Sequence, residues 1–347
     1  MTKSAHPIRS ENETQDVLRA ISDEAPEISG SPLPGRDPLP ETLAQDSFGQ
    51  LAQTISPLSK TRRTRTIPNF GDSVLFTLLA GFFIFVVEAV FFSATLSFHL
   101  LPHQTTAQLA REPKLIVPSM ALAYVLTLLA AALVFRLLWD RSFASGIRWN
   151  REAVMRLGWR LPALGLAVGV TVQLLQNYLP MPKTVPMDDY FRTRADVWMV
   201  TAFGTLLAPA FEEIAFRGML LPAIGNAWDW IGNLSNPGRR ENSYIHPMSE
   251  ARTEISRASE ACSPTTPALL FSSALTSAIF ALLHAEQLGH SVSPLILLFS
   301  VSVVLTLVRI RTVSVAASTL VHASYNFSVF LTMFIGTGGY QHLERLK

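Results

Sequence analysis

The chain has one cysteine, Cys262, and only 16% charged residues across 347 positions, and each shortage excludes a class of protein. A single cysteine permits no intrachain disulfide and no multi-cysteine metal centre, and in its polar surroundings Cys262 reads as a loop residue. So little charge, set against 49% hydrophobic residues and a mean hydropathy of +0.29, does not suit a soluble protein of this length. The 28 basic and 26 acidic residues leave +2, too small an excess to suggest a nucleic-acid partner. No apolar stretch of signal-peptide type follows a basic start, so the first true span is expected to act as the insertion signal. An internal repeat, an H-E-x-x-H helix and a recognisable serine or cysteine nucleophile motif are also missing.

What is present is a series of apolar runs, each near the ~20 residues needed to cross a bilayer. They lie near Ser73 to Leu96, Leu115 to Leu138, Leu161 to Leu179, Val200 to Ile224, Ala268 to Leu288, Pro294 to Val308 and Val313 to Phe334. The expected fold is all-α, a polytopic membrane bundle of about seven transmembrane helices occupying residues 67–347. Residues 1–66, rich in Ser, Pro, Asp, Glu and Thr, read as a disordered tail. Residues 226–266 read as a polar, mobile cytoplasmic loop insertion.

Basic residues recur between alternate spans. They are Lys60, Arg62, Arg63 and Arg65, then Arg141, Arg148, Arg151, Arg156 and Arg160, then Arg239, Arg240, Arg252 and Arg257, then Arg309 and Arg311. The positive-inside rule puts all of these on the cytoplasmic side, giving an N-in, C-out protein of a cytoplasmic-type membrane.

Three fragments carry ionisable and amide side chains inside the apolar half: Glu212-Glu213-Ile-Ala-Phe-Arg217, Phe280-Ala-Leu-Leu-His284 and His322-Ala-Ser-Tyr-Asn326. Such groups are costly in hydrocarbon unless they face a polar interior. Glu213 and Arg217, four apart, share a helix face and are expected to pair, leaving Glu212, about 100° away, as a free base. His322 and Asn326 share a face in the same way and offer donors to a developing oxyanion. Spacing alone fits a purely structural network as well as a site, and two buried histidines beside a spare carboxylate favour the site. Water is then the nucleophile.

Depth constrains this reading. Helix starts near Val197 and Pro267 would put Glu212 and His284 toward opposite membrane faces at ~1.5 Å per residue, whereas starts near Gly204 and Phe271 bring them level. The later starts are therefore expected, with Pro209 kinking the fourth helix. Glu88, Gln173, Gln176 and Asn177 are expected to make interhelical hydrogen bonds or to meet the interface, and Glu88 becomes a substrate-positioning charge if it faces the cavity.

The three fragments, in this order, resemble the motifs of the CPBP family, which comprises the CAAX prenyl proteases and the bacteriocin-processing enzymes once called Abi proteins. Phe216-Arg217-Gly218 and Ala281-Leu282-Leu283-His284 are similar as well, and the resemblance covers about Val200 to Phe334. It implies an intramembrane endopeptidase, a hydrolase in which Glu212 and His284 activate water while His322 and Asn326 stabilise the oxyanion. Glu213, Arg217 and Phe280 would support the site. The family has been labelled a metalloprotease family, and a metal-free glutamate mechanism is argued for it too. The amide at Asn326 favours the metal-free form, with Zn²⁺ on Glu212, His284 and His322 as the alternative. The implied partners are the bilayer and a membrane-associated peptide or protein, prenylated or not, with no nucleic acid. Two other readings compete: a catalytically silent scaffold or bacteriocin-immunity-type protein that keeps the motifs for packing, and a transporter, for which no matching pair of broken helices is visible.

Overall fold

The computed structural model describes residues 67–101, 105–109, 112–235 and 264–346. The expected tail at 1–66, Cys262 and most of the 226–266 insertion lie outside these residues. From Arg65 to Lys347 the chain forms one compact unit, and its described residues fold as helices and turns without a strand.

The helices follow the apolar runs. α1 spans Phe70–Ser97, α2 Pro113–Trp139, α3 Arg151–Leu157 and α4 Arg160–Gln176. α5 is one continuous span, Arg194–Gly232, with its helical turns reaching Ser235. α6 is Thr266–Leu283, α7 Val292–Thr312 and α8 Val315–Gly336. Local chemistry fixes several starts. Asn69 and Asp72 form a reciprocal capping box before α1, Thr193 and Asp196 form one before α5, and Thr265 and Ser314 cap α6 and α8.

Five of these helices (α1, α2, α5, α6 and α7) are long and apolar enough to cross a membrane, and six if α3 and α4, bent by 79°, count as one broken span. The expected seven is therefore not reached. α8 falls short because it carries Ser318, Thr319, His322, Ser324, Asn326, Ser328 and Thr332. Its hydroxyls are nonetheless satisfied within the helix: Ser318 and Thr319 donate to Val315 O, Ser324 to Leu320 O and Ser328 to Tyr325 O. A helix so composed suits the protein interior, and Val321, His322 and Ser328 are buried there.

α8 is held mainly by α4, and small residues set how close they come. A Cβ at Gly165 would collide with Val321 O and Ser324, and one at Gly169 with Ser328. These glycines, four apart against serines four apart, form a small-residue seam that lets two membrane helices pack backbone to backbone. Leu161, Val172, Leu297, Val301, Leu305 and Val321 fill the core beside it. A second core joins α1, α2 and α5 through Phe76, Tyr124, Phe135, Trp139 and Phe211.

The basic segments after α2 and at the end of α7 meet at one end of the bundle, where Val315 N donates to Arg148 O and Ser314 Oγ to Asn150 O. The turn between α7 and α8 places Val313 in the left-handed region, φ 51°. Of the two expectations for Gln173 and Asn177, interhelical hydrogen bonds are absent among the described residues, and Asn177 is exposed. Gln173 donates to Gly169 O and Asn177 to Gln173 O, because these amides reach the carbonyl one turn back on their own helix. Glu88 is exposed on α1 and has no hydrogen bond or ion pair among the described residues.

Candidate active site

The first motif sits halfway along α5, which is not a regular α-helix there. Phe203–Leu207 and Ile214–Leu220 are π-helical and flank the short α-helical stretch Ala208–Glu213. Pro209 accounts for the first of these. Its ring cannot accept a normal turn before it and it has no N–H. Ala208 N donates back five residues to Phe203 O, so it is withdrawn from Gly204 O, and Pro209 has no proton to give that carbonyl in its place. Asn326 fills the gap: its Nδ2 donates to Gly204 O at 2.7 Å. The third-motif amide thus satisfies a backbone acceptor that the proline leaves open.

The pairing of the two adjacent acids follows the helix geometry expected for them. Glu213 is fully buried and its Oε1 accepts from Arg217 Nη1 at 2.8 Å, while Glu212 keeps 20% of its side chain accessible and has no basic partner of its own on α5. Arg217, also fully buried, donates through Nη2 to Ser302 O at 2.9 Å and Ser302 Oγ at 2.7 Å, and through Nε to Thr306 Oγ1 at 3.4 Å. Its guanidinium carbon lies 4.9 Å from the centre of the Phe280 ring. A charged group removed from water is tolerated only when its partners are this complete. Ser302 and Thr306 on α7 are site-supporting residues that the motif reading missed. Two hydroxyls four apart in an apolar helix were the available signal.

His322 lies between the two acids. Its Nδ1 is 3.0 Å from Glu213 Oε1 and its Nε2 is 3.8 Å from Glu212 Oε2. A carboxylate can only accept, so Nδ1 carries a proton and Nε2 is the atom that faces Glu212. The gap of 3.8 Å exceeds a direct hydrogen bond, and one water placed off the line between them can touch both atoms. Glu213 Oε2 is buried without a hydrogen-bond partner among the described residues.

His284 caps the C-terminal end of α6, with Nδ1 2.8 Å from Phe280 O. The carbonyl accepts, so this ring also carries its proton on Nδ1 and leaves Nε2 free. Phe280 stands between the two imidazoles, its ring centre 4.8 Å from that of His284 and 6.0 Å from that of His322. On the opposite side Tyr124 of α2 stacks on Phe211, the neighbour of Glu212, at 3.7 Å. The second span therefore takes part in the site, which its sequence did not announce.

Depth is resolved differently from the expectation of late helix starts. α5 and α6 begin at Arg194 and Thr266, close to the early starts that seemed incompatible. Instead α5 runs on through residues expected to be loop, and Asp229 takes hydrogen bonds from Thr265 N at 2.8 Å and Thr265 Oγ1 at 2.6 Å. Glu212 lies 17 residues before Asp229 and His284 19 residues after Thr265. At ~1.5 Å per residue these are runs of ~26 and ~28 Å along paired helices, so the two motifs reach the same level.

Among the described residues no three His, Cys, Asp or Glu side chains come together in a group able to hold a metal ion. Glu212, His284 and His322 do not form such a group.

A bundle of membrane-length helices enclosing an acid–imidazole cluster defines a multi-pass integral membrane protein with a polar interior site. Residues 194–328 match the family model described as Type II CAAX prenyl endopeptidase Rce1-like, so this segment is similar to the CAAX proteases of that family. No curated protein and no solved structure matches the chain.

Proposed function

We propose that the protein is an intramembrane endopeptidase in which Glu212 activates water for attack on a peptide bond. The observation that carries this reading is the placement of Glu212 Oε2 opposite His322 Nε2 at 3.8 Å, in the one part of the acid pair that keeps solvent access. A water held by both loses its proton to Glu212 as its oxygen attacks the carbonyl carbon. The Glu213–Arg217 pair is an anchor: it fixes the His322 tautomer and keeps Nε2 aimed at the reacting atoms.

Charge develops on the carbonyl oxygen, and Asn326 offers it its second amide hydrogen; His284 and His322, whose Nδ1 protons are committed, donate to it only as imidazoliums that have also taken a proton on Nε2. Glu212 then returns its proton to the departing amine. This assignment differs from the family expectation in one respect: Asn326 has committed one N–H to Gly204, so its role is shared between the helix and the oxyanion. The reaction is metal-free in this scheme. The substrate is a membrane-associated peptide or protein, and the N-terminal side of α1 is cytoplasmic because the basic segments gather at that end.

Substrate trapping tests the proposal. Glu212→Gln protein reconstituted in lipid should retain peptides that the wild-type protein cleaves, with a prenylated and a non-prenylated C-terminal peptide offered in parallel. Equal cleavage by both proteins removes Glu212 as the base. Retention of the prenylated peptide alone assigns a CAAX-type substrate.

A further inference from the structure

Arg309, in the last turn of α7, is 8% exposed, and its Nε is buried with no hydrogen-bond partner. No described residue makes a hydrogen bond or ion pair with its guanidinium. An N–H in that state is costly, because burial removes its hydration and no protein acceptor replaces it. Arg217, the other buried arginine of the bundle interior, has five contacts where Arg309 has none of these: Glu213, Ser302 through two atoms, Thr306 and the Phe280 ring.

The segment bonded to the turn after α7 adds a second cation rather than an acceptor: Arg148 repels Arg309, while Glu213, the acid whose field also reaches it, is already paired with Arg217. Arg148 is not free to swing away with its loop. Its carbonyl accepts from Val315 N at 3.1 Å, Asn150 O accepts from Ser314 Oγ at 2.7 Å, and its backbone is held in the left-handed region at φ 61°. Such a conformation is strained for a non-glycine residue and persists only where its surroundings impose it. The fold therefore keeps one exposed and one buried arginine on adjoining segments at the end of the bundle where the basic segments gather.

We propose that Arg309 and Arg148 form a binding site for the phosphate of an anionic phospholipid headgroup. A phosphate placed between them supplies the acceptors Arg309 lacks and relieves the repulsion, and guanidinium is suited to a phosphate's paired oxygens. The place agrees with the ligand: Arg309 is in the last turn of α7 and Arg148 in the segment bonded to the turn that follows, and basic pockets between helices on the positive side of a membrane protein take such lipids.

The test uses the full chain in nanodiscs of phosphatidylcholine alone or with a tenth part of phosphatidylglycerol, with thermal unfolding and the lipid retained by native mass spectrometry as readouts. Phosphatidylglycerol should raise the unfolding temperature and be retained. Arg148→Gln, at an exposed position that does not endanger folding, should weaken retention about five- to tenfold. Arg309→Met should abolish it without loss of stability in phosphatidylcholine, since the unpaired charge goes with the lipid it binds. Arg136→Gln, on the exposed end of α2, is the control for general surface charge and should change nothing. An equal effect of Arg136→Gln, or undiminished retention by both the Arg148 and Arg309 variants, overturns the proposal. Protection of detergent-solubilised protein by millimolar inorganic phosphate, with none from phosphatidylglycerol, overturns the lipid assignment.

Discussion

Asn326 Nδ2 donates to Gly204 O at 2.7 Å, joining the middle of α8 to the π-helical stretch of α5 just ahead of the two glutamates. The carbonyl is available because Ala208 bonds to Phe203 and Pro209 cannot donate. The bond gives Asn326 a structural duty that an oxyanion donor does not have, and the two duties separate in a double-mutant cycle. Asn326→Ala should lower kcat about 10²- to 10³-fold with little change in KM if its second N–H serves the transition state. It should also cost about 1–3 kcal/mol of stability for stranding Gly204 O. Pro209→Ala, which returns an N–H to the helix, should remove most of the stability cost and leave the kcat loss. A kcat recovered along with stability would show that Asn326 acts only through the helix.

Glu212→Gln should reduce turnover at least about 10³-fold while leaving the unfolding temperature close to that of the wild-type protein. The side chain keeps its shape and partial accessibility and loses only its basicity. Single-turnover cleavage in reconstituted vesicles measures this, and near-normal turnover would falsify the assignment.

Glu213→Gln should behave in the opposite way, because Glu213 is fully buried and holds both Arg217 and His322. Removing its charge strands a buried guanidinium, a change worth about 3–5 kcal/mol. Ser302→Ala, which takes away one of the remaining Arg217 contacts, should cost less, about 1–3 kcal/mol. Denaturant or thermal unfolding in detergent ranks the two. A stable, inactive Glu213→Gln protein would mean that Glu213 itself takes part in the chemistry.

The motif residues were legible in the sequence because helical spacing speaks directly about which side chains share a face. Glu213 with Arg217 is the plainest case. The partners of those residues were hidden wherever they come from another helix, as Ser302, Thr306 and Tyr124 do, since spacing within one helix carries no information about its neighbour. The end of α5 was hidden for a different reason. Residues 225–235 include Gly225, Asn226, Asp229 and Gly232, poor helix formers on their own. They are helical because Asp229 and Asn226 are tied to Thr265 and Pro68 O. The count of about seven spans is not confirmed at α8, whose polar residues lower its hydropathy, nor at α4 unless it counts with α3 as one broken span.

The metal-free scheme makes its own prediction. Glu212 does not close a three-ligand group with the two histidines, although the Nδ1 bonds of both rings leave Nε2 free for a ligand. Exhaustive chelation should therefore leave peptide cleavage intact, and metal analysis of the active protein should find no stoichiometric zinc. Activity lost on chelation and restored specifically by Zn²⁺ would require His284 and His322 to move together.

The pin between Asp229 and Thr265 makes the most distant prediction. It lies ~26 Å along α5 from Glu212, yet it sets how far α6 reaches and so the level at which His284 arrives. Asp229→Ala removes both bonds and frees α6 to slide against α5. A displacement of about 1 Å at a reacting group can cost 10²-fold, so turnover should fall about tenfold or more although no group near the chemistry has changed. Asp229→Asn, which keeps one oxygen acceptor for Thr265, should recover most of the loss. The charge is dispensable to the pin and the acceptor is not. Cleavage rates for the two variants, measured beside their unfolding temperatures, decide the matter: equal turnover in wild-type and Asp229→Ala protein would show that the level of His284 is set elsewhere along α6.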